Sequence, residues 1–276
     1  MSKTLLNRLR FSWRFASALM LSIMLAATAA HAADSDLDGI DDALESTGLS
    51  LLDGTVMQPC PDTALQFDPC VHPASPDLFV AIVRVAAGSL MPSEPLAVLG
   101  SLNRSATQIT GIHELTPEQI DSARRFSPST TLLQKAVRLT ESLALVKTST
   151  GSLIWGKTPT LGTPNTAGES TVFTQAINND IRAKYSAATA NGGSYSDATI
   201  QAKIDECVRH VNAHEVGHTL GPLAAQYNAK LGGNHYSTTQ KLTMSQAPIL
   251  TQKGSSVTIV CPSAYTSEDA TTFRIN

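Results

Sequence analysis

The chain has 276 residues, with 20 basic and 23 acidic side chains giving a net charge of −3, and 42% of its residues are hydrophobic. That slightly acidic balance argues against a nucleic-acid partner, and the length suits one large domain or one domain with two lobes, able to bury a core of its own.

Lys3, Arg8, Arg10 and Arg14 precede an apolar run over residues 15–27, and Ala30-His31-Ala32 follows with the small residues a signal peptidase reads. Residues 1–32 are therefore expected to be a signal peptide, with the mature chain beginning near Ala33 in the periplasm or outside the cell. The apolar run is shorter than the ~20 residues a membrane span needs, and no other stretch approaches that length, so no anchor is expected after cleavage. Cleavage removes four basic residues and leaves 16 against 23 acidic ones, a net charge of −7.

Six acidic residues crowd the new start: Asp34, Asp36, Asp38, Asp41, Asp42 and Glu45. Asp34-x-Asp36-x-Asp38-Gly39-x₅-Glu45 fits a calcium loop, with oxygen ligands at alternating positions, a glycine for the sharp turn and a closing bidentate carboxylate. Asp34, Asp36, Asp38 and Glu45 are the expected calcium ligands. No entering helix can precede Asp34 in the mature chain, so the segment resembles a thrombospondin type 3 calcium repeat more than a paired EF-hand. The bland alternative is an acidic, solvated N-terminus.

A loop-rich stretch runs on to Pro76, so residues 33–76 form a calcium-binding, loop-rich N-terminal segment. The β-branched run over 77–85 reads as a buried strand. Thr116-Pro117-Glu118 has the signature of a helix start, and a second helix is predicted over 129–140. Residues 142–148, 153–157 and 170–175 read as short strands, and a helix over 176–190 ends before Asn191-Gly192-Gly193. Four cysteines in an exported chain imply two disulfides. Of the three possible pairings, Cys60–Cys70 and Cys207–Cys261 is preferred: the first closes a short loop, and the second ties a long helix to the C-terminal segment.

That helix begins near Ser196 or Asp197 and stops at Gly221-Pro222. At 100° per residue Ile200, Ile204, Cys207 and Val211 share a face with His214, Glu215 and His218, so the polar triplet points inward. Val216 and Leu220 lie on the opposite side, which implies a C-terminal half covered all round. Buried ionisable groups need something to pair with.

His214-Glu215-Val216-Gly217-His218 supplies it. Two histidines one turn apart can reach one zinc ion, and Glu215 is placed to hold a water at the metal, take its proton and pass it to a leaving amine. With 7 histidines in 276 residues, HExxH arises by chance in roughly 0.6 per cent of such chains. The rival reading is a helix with two satisfied core histidines. A catalytic zinc normally takes three protein ligands. His210 is too far along the axis from His218 to share the ion with it and is expected to pack or hydrogen-bond at the helix flank. Downstream, His235 is the first candidate, with Glu268 and Asp269 as alternatives.

The stretch from His214 to Gly221 resembles the opening of the metzincin signature HExxHxxGxxH, closest to matrixin-like members, and Leu242-Thr243-Met244-Ser245-Gln246 resembles their Met-turn. The match covers about 33 residues, with Ala224 standing where the family has His or Asp. Gly232-Gly233-Asn234-His235-Tyr236 offers the third ligand after an enlarged loop. The resemblance implies an α+β zincin-like fold for residues 77–276: a twisted mixed sheet with helices including the active-site helix, in an upper lobe over 77–221, then a small irregular C-terminal lobe over 222–276. It implies zinc on His214, His218 and His235, Glu215 as general base and then acid, Gly221 at the turn beneath the metal and Met244 under it. The implied partner is a polypeptide substrate lying extended along an edge strand, for which residues 170–175 are one candidate. Tyr236 is either a packing residue or a donor to a developing oxyanion.

Two other patterns carry less. Gly151 to Thr158 spells a P-loop, but Pro159 and a Gly/Pro-rich loop stand where a phosphate-cradling helix must begin. Cys60 could be imagined as a thiol latch on zinc, but the even cysteine count favours a disulfide. The expected function is a secreted zinc metalloendopeptidase. The alternatives are a non-catalytic, calcium-binding adhesion protein on the same scaffold and a zinc amidase acting on small or cell-wall peptides.

Overall fold

The computed structural model describes residues 34–36, 38, 40–61, 65, 67–101, 111–120, 137–158, 168–220 and 248–263. The expected signal peptide lies outside these. Among the described residues no helix is long and apolar enough to cross a membrane.

A short helix α1 (Asp42–Thr47) is capped by Asp41, whose carboxylate accepts the Ala43 N–H. It leads into β1 (Leu49–Ser50), β2 (Val56–Pro59) and β3 (Cys70–Val71), a small sheet in the order β1-β2-β3. The Cys60–Cys70 disulfide closes the loop between β2 and β3, as the spacing predicts.

The central sheet is built from β4 (Asp77–Val83), β5 (Gly111–Leu115), β6 (Val137–Ser142), β7 (Gly156–Lys157) and β8 (Gly168–Phe173), in the order β5-β4-β6-β8-β7. Neighbours are parallel except β7, which runs antiparallel to β8 at the edge. A parallel strand buried on both faces reads as a continuous apolar run, which is why β4 was legible: every residue from Asp77 to Ile82 is buried. Leu78, Val80 and Ile82 face one core with the two long helices, while Phe79 and Ala81 face a second with Ile40, Leu49, Leu51, Met57 and Val71. Ile40, Leu49, Leu51, Met57 and Val71 thus cover one sheet face. Each apolar side chain of Leu, Ile or Phe size fully buried there contributes about 1.5–3 kcal/mol.

α2 (Thr174–Ala190) and α3 (Asp197–Thr219) pack on the first face. α3 starts where the sequence puts it, with Ser196 as N-cap and its hydroxyl accepting the Thr199 N–H. Cys207 bonds to Cys261, which follows a hairpin of β9 (Ile249–Lys253) and β10 (Ser256–Val260). The mixed arrangement of helices and several sheets fits the α+β expectation.

Four local expectations are corrected. Residues 137–140, read as the end of a helix, belong to β6, because pairing with β4 and β8 outweighs the helix propensity of that stretch. Thr116 opens only a turn, with its carbonyl accepting the Gln119 and Ile120 N–H groups. Residues 142–148 carry a bridge at Lys147 to Leu153 in place of a strand beyond Ser142. Residues 170–173 belong to β8, which lies between β6 and β7 and so is interior, while Thr174 and Gln175 begin α2. The described edge on that side is β7.

Candidate metal centres

The C-terminal half of α3 is enclosed on every side: each residue from His210 to Leu220 is buried. His214 and His218, 7% and 4% exposed, turn their Nε2 atoms toward one another at 3.0 Å. That contact is a hydrogen bond between the two rings, and it is close to the ~3.3 Å at which two imidazole nitrogens stand on one tetrahedral zinc at Zn–N distances of ~2.0 to 2.1 Å. His210 does not join them. Its Nδ1–H donates to the Pro262 carbonyl at 2.6 Å, and burial pushes its pKa down to about 4, so it stays neutral and ties α3 to the residue after Cys261.

Glu215 lies between the two ligand-type histidines and is 5% exposed. Its Oε2 accepts the Thr158 hydroxyl at 2.5 Å. Thr158 Oγ1 and Ser170 Oγ stand 2.8 Å apart, and each is 3.2 Å from the Glu215 carbonyl oxygen. The edge strand β7 passes so close that a Cβ at Gly156 would collide with the Glu215 carboxylate; glycine is required there by space. Burial, opposed by the Thr158 hydrogen bond, pushes the Glu215 carboxyl up to about 7 in the metal-free chain. A carboxyl poised near neutrality can both accept and return a proton.

The acidic start folds into a second cluster. Asp34, Asp36 and Asp38 bring ligand-type oxygens within 4.8 Å of one another. Asp38 is fully buried, its Oδ1 accepting the Ile40 N–H at 2.9 Å and its Oδ2 the Asp77 N–H at 3.0 Å. Glu45 is fully buried as well, and neither of its carboxylate oxygens has a hydrogen-bond partner; Asp36 Oδ2 is in the same position. Burial above all, with repulsion from neighbouring carboxylates, pushes Glu45 up to about 10 and Asp36 to about 7, and holds Asp38 well above the usual range. Buried acceptors without donors are groups that an oxygen-liganded cation would satisfy.

Sequence reasoning did not reach the residues that surround this cluster. Asp77, at the head of β4, comes within 4.8 Å of Asp38 and Glu45, and also of His72 and His113. Its Oδ1 is 2.7 Å from His72 Nδ1 and 3.3 Å from His113 Nε2, while Oδ2 accepts the His72 N–H at 2.7 Å. Burial opposes its charge, but the two imidazoles set against it, His113 in close contact and His72 hydrogen-bonded, outweigh this and hold its carboxyl below the ordinary range. An acidic residue opening an otherwise apolar strand was the only local sign. Thr158, Gly156 and Ser170 carried none.

His235, Tyr236, Met244, Gly221 and the alternatives Glu268 and Asp269 lie outside the described residues. Gly156 and Lys157 are strand residues, which removes the P-loop reading, and Cys60 is in a disulfide and offers no thiol. The chain matches no known family model and no curated protein.

Proposed function

We propose that the protein is an exported zinc metalloendopeptidase of zincin-like architecture, with zinc on His214, His218 and His235 and calcium on the acidic loop of residues 34–45. The observation that carries the reading is the approach of the His214 and His218 Nε2 atoms to 3.0 Å inside a closed core, with the buried carboxylate of Glu215, the residue after His214, held against the edge strand. A core that merely tolerated two histidines would have no reason to bury a carboxylate beside them with a single hydroxyl donor.

Zinc held there would polarise the scissile carbonyl and acidify a water. Glu215 would take a proton from that water as its oxygen bonds to the carbonyl carbon and deliver it to the amide nitrogen as the C–N bond breaks; the water's second proton follows to the amine, so that the products are a carboxylate and a protonated amine. Thr158 holds the Glu215 carboxylate in position through Oε2. β7, whose described partner is β8, offers its outer edge to an extended peptide as an added strand, and Gly156 lets that strand run close to Glu215.

The test is elemental analysis and peptide-library digestion of the purified mature protein beside its Glu215→Gln and His235→Ala variants. The expected result is a single zinc per chain in the wild type, retained in Glu215→Gln with loss of all measurable hydrolysis, and lost or loosened in His235→Ala. Absence of zinc after zinc loading overturns the proposal in favour of a non-catalytic binding protein. Cleavage confined to small or cell-wall peptides moves it to an amidase.

A further inference from the structure

We propose that Asp77 of the central sheet is a ligand of the cation held by the acidic loop, so that the ion fastens the N-terminal segment to the head of β4. The proposal rests on the calcium reading of residues 34–45 and extends it to a residue 32 positions beyond Glu45.

Three observations carry it. Asp38, Glu45 and Asp77 converge with one oxygen each inside a 4.8 Å span, all fully buried. Oxygen ligands around calcium, each at 2.3–2.6 Å from the ion, occupy about that span. Both Glu45 oxygens are without a partner at full burial, which no arrangement of hydrogen bonds inside the loop explains. Finally, Asp38 grips the backbone of Asp77 through its N–H, so loop and strand are already in register at this point.

Charge leads to the same assignment. Asp36, Asp38, Glu45 and Asp77 face one another, and among the described residues none of them pairs with a lysine or arginine. The positively chargeable groups at hand are His72, which is bonded to Asp77, and His113, whose Nε2 stands 3.3 Å from Asp77 Oδ1 without a hydrogen bond. His72 acts as a positioning residue: it grips both oxygens of Asp77 through its ring and its N–H. Oδ2 then accepts one described donor and keeps a lone pair for the ion. At Gly111 a Cβ would collide with Asp77 Oδ1 and crowd His113 Nε2, so the neighbouring strand has no room for a larger residue. An oxygen-rich, strongly anionic cage of this kind selects a hard divalent cation of the calcium class.

The proposal is tested on the zinc-loaded mature protein by calcium titration calorimetry and by hydrogen–deuterium exchange in zinc-replete buffer with and without calcium. Asp77→Asn is expected to weaken calcium binding ~10-fold or more, as is Glu45→Gln, with catalytic zinc unchanged. Should Asp77→Asn fail to fold, the wild type alone decides: calcium must slow exchange both in residues 34–47 and at the start of β4. Protection confined to residues 34–47, or wild-type calcium affinity in Asp77→Asn, overturns the role of Asp77 while leaving the loop reading intact. A second zinc lost in His72→Ala overturns it by assigning Asp77 to a different ion. Wild-type protein that takes up no calcium at millimolar concentration overturns the loop reading and this inference together.

Discussion

Glu141 and Glu45 are buried to almost the same degree, 3% and 0% exposed, and live in opposite circumstances. Glu141, near the end of β6, accepts from Ser89 Oγ at 2.6 Å, Leu90 N at 2.7 Å, Thr174 Oγ1 at 2.9 Å and Val85 N at 3.1 Å. It gathers the loop after β4 and the first residue of α2 around one carboxylate. Glu45 accepts from nothing, although it is deeper. Burial alone therefore says little about a carboxylate; the count of donors separates a structural anchor from the carboxylate proposed here as a cation ligand. Glu215, with its one side-chain donor, Thr158, belongs between them.

The comparison breaks most visibly at Glu141. Glu141→Ala strands two backbone N–H groups and two hydroxyls without their acceptor, and the loss is expected to be about 3–5 kcal/mol of folding stability. Urea denaturation in zinc- and calcium-replete buffer measures it. A loss below about 1 kcal/mol would show that the four donors find water or each other, and that donor count is no guide in this fold.

The next effect is in the pH dependence, where the two residues carry opposite signs. Burial disfavours the Glu141 carboxylate, but its donors prevail and hold its folded-state value below the ordinary 4.5. Its contribution is present above that pH and is lost as pH falls through the lower folded value. Glu45, raised by burial and neighbouring carboxylates from 4.5 to about 10, binds a proton in the calcium-free fold that the unfolded chain has released. Its contribution is present below pH 4.5 and declines as pH rises toward 10, at up to about 1.4 kcal/mol per pH unit for one proton. Denaturation in calcium-free buffer from pH 5 to 8 should show stability falling with pH, and Glu45→Gln should make the slope shallower by one proton. Asp36 and Asp38, also raised, keep the remainder. An unchanged slope in the variant would mean that water or a neighbour already serves Glu45.

The same contrast between local and non-local determinants explains what could be read in the sequence. α3 was legible because its Ser196 cap, its apolar face and its HExxH turn are local patterns, and the preferred disulfide pairing, a short loop closed at Cys60–Cys70 and a helix tied to the C-terminal segment at Cys207–Cys261, is the one formed. The ligand-type oxygens of Asp34, Asp36, Asp38 and Glu45 were legible for the same reason. β6 was not, because a stretch that reads locally as helix is held as strand by its neighbours on both sides. Nor was the exchange of roles between β8 and β7, since strand order is fixed by partners far apart in sequence. Asp77, His72 and His113 meet only because β4 and β5 pair in parallel with Phe79 opposite His113. No spacing rule connects residues 72, 77 and 113.

The smallest effect concerns Thr158, which sharpens the middle case. Its hydroxyl donates to Glu215 Oε2 at 2.5 Å, and Ser170 steadies it from 2.8 Å. Thr158→Val keeps the shape of the side chain and removes that donor. If Glu215 takes and returns a proton, freeing its carboxylate should lower kcat by roughly 5- to 10-fold, equivalent to the ~1 kcal/mol of a net hydrogen bond. KM and zinc content should stay as they are, because Thr158 contacts neither histidine ring in the described hydrogen bonds. Thr158→Ser should restore the rate, since it returns the hydroxyl without the methyl group. A rate lost in the Ser variant but kept in the Val variant would instead make the packing of the methyl group the relevant contact. A rate unchanged in both would leave Glu215 positioned by its own burial and by Gly156 alone.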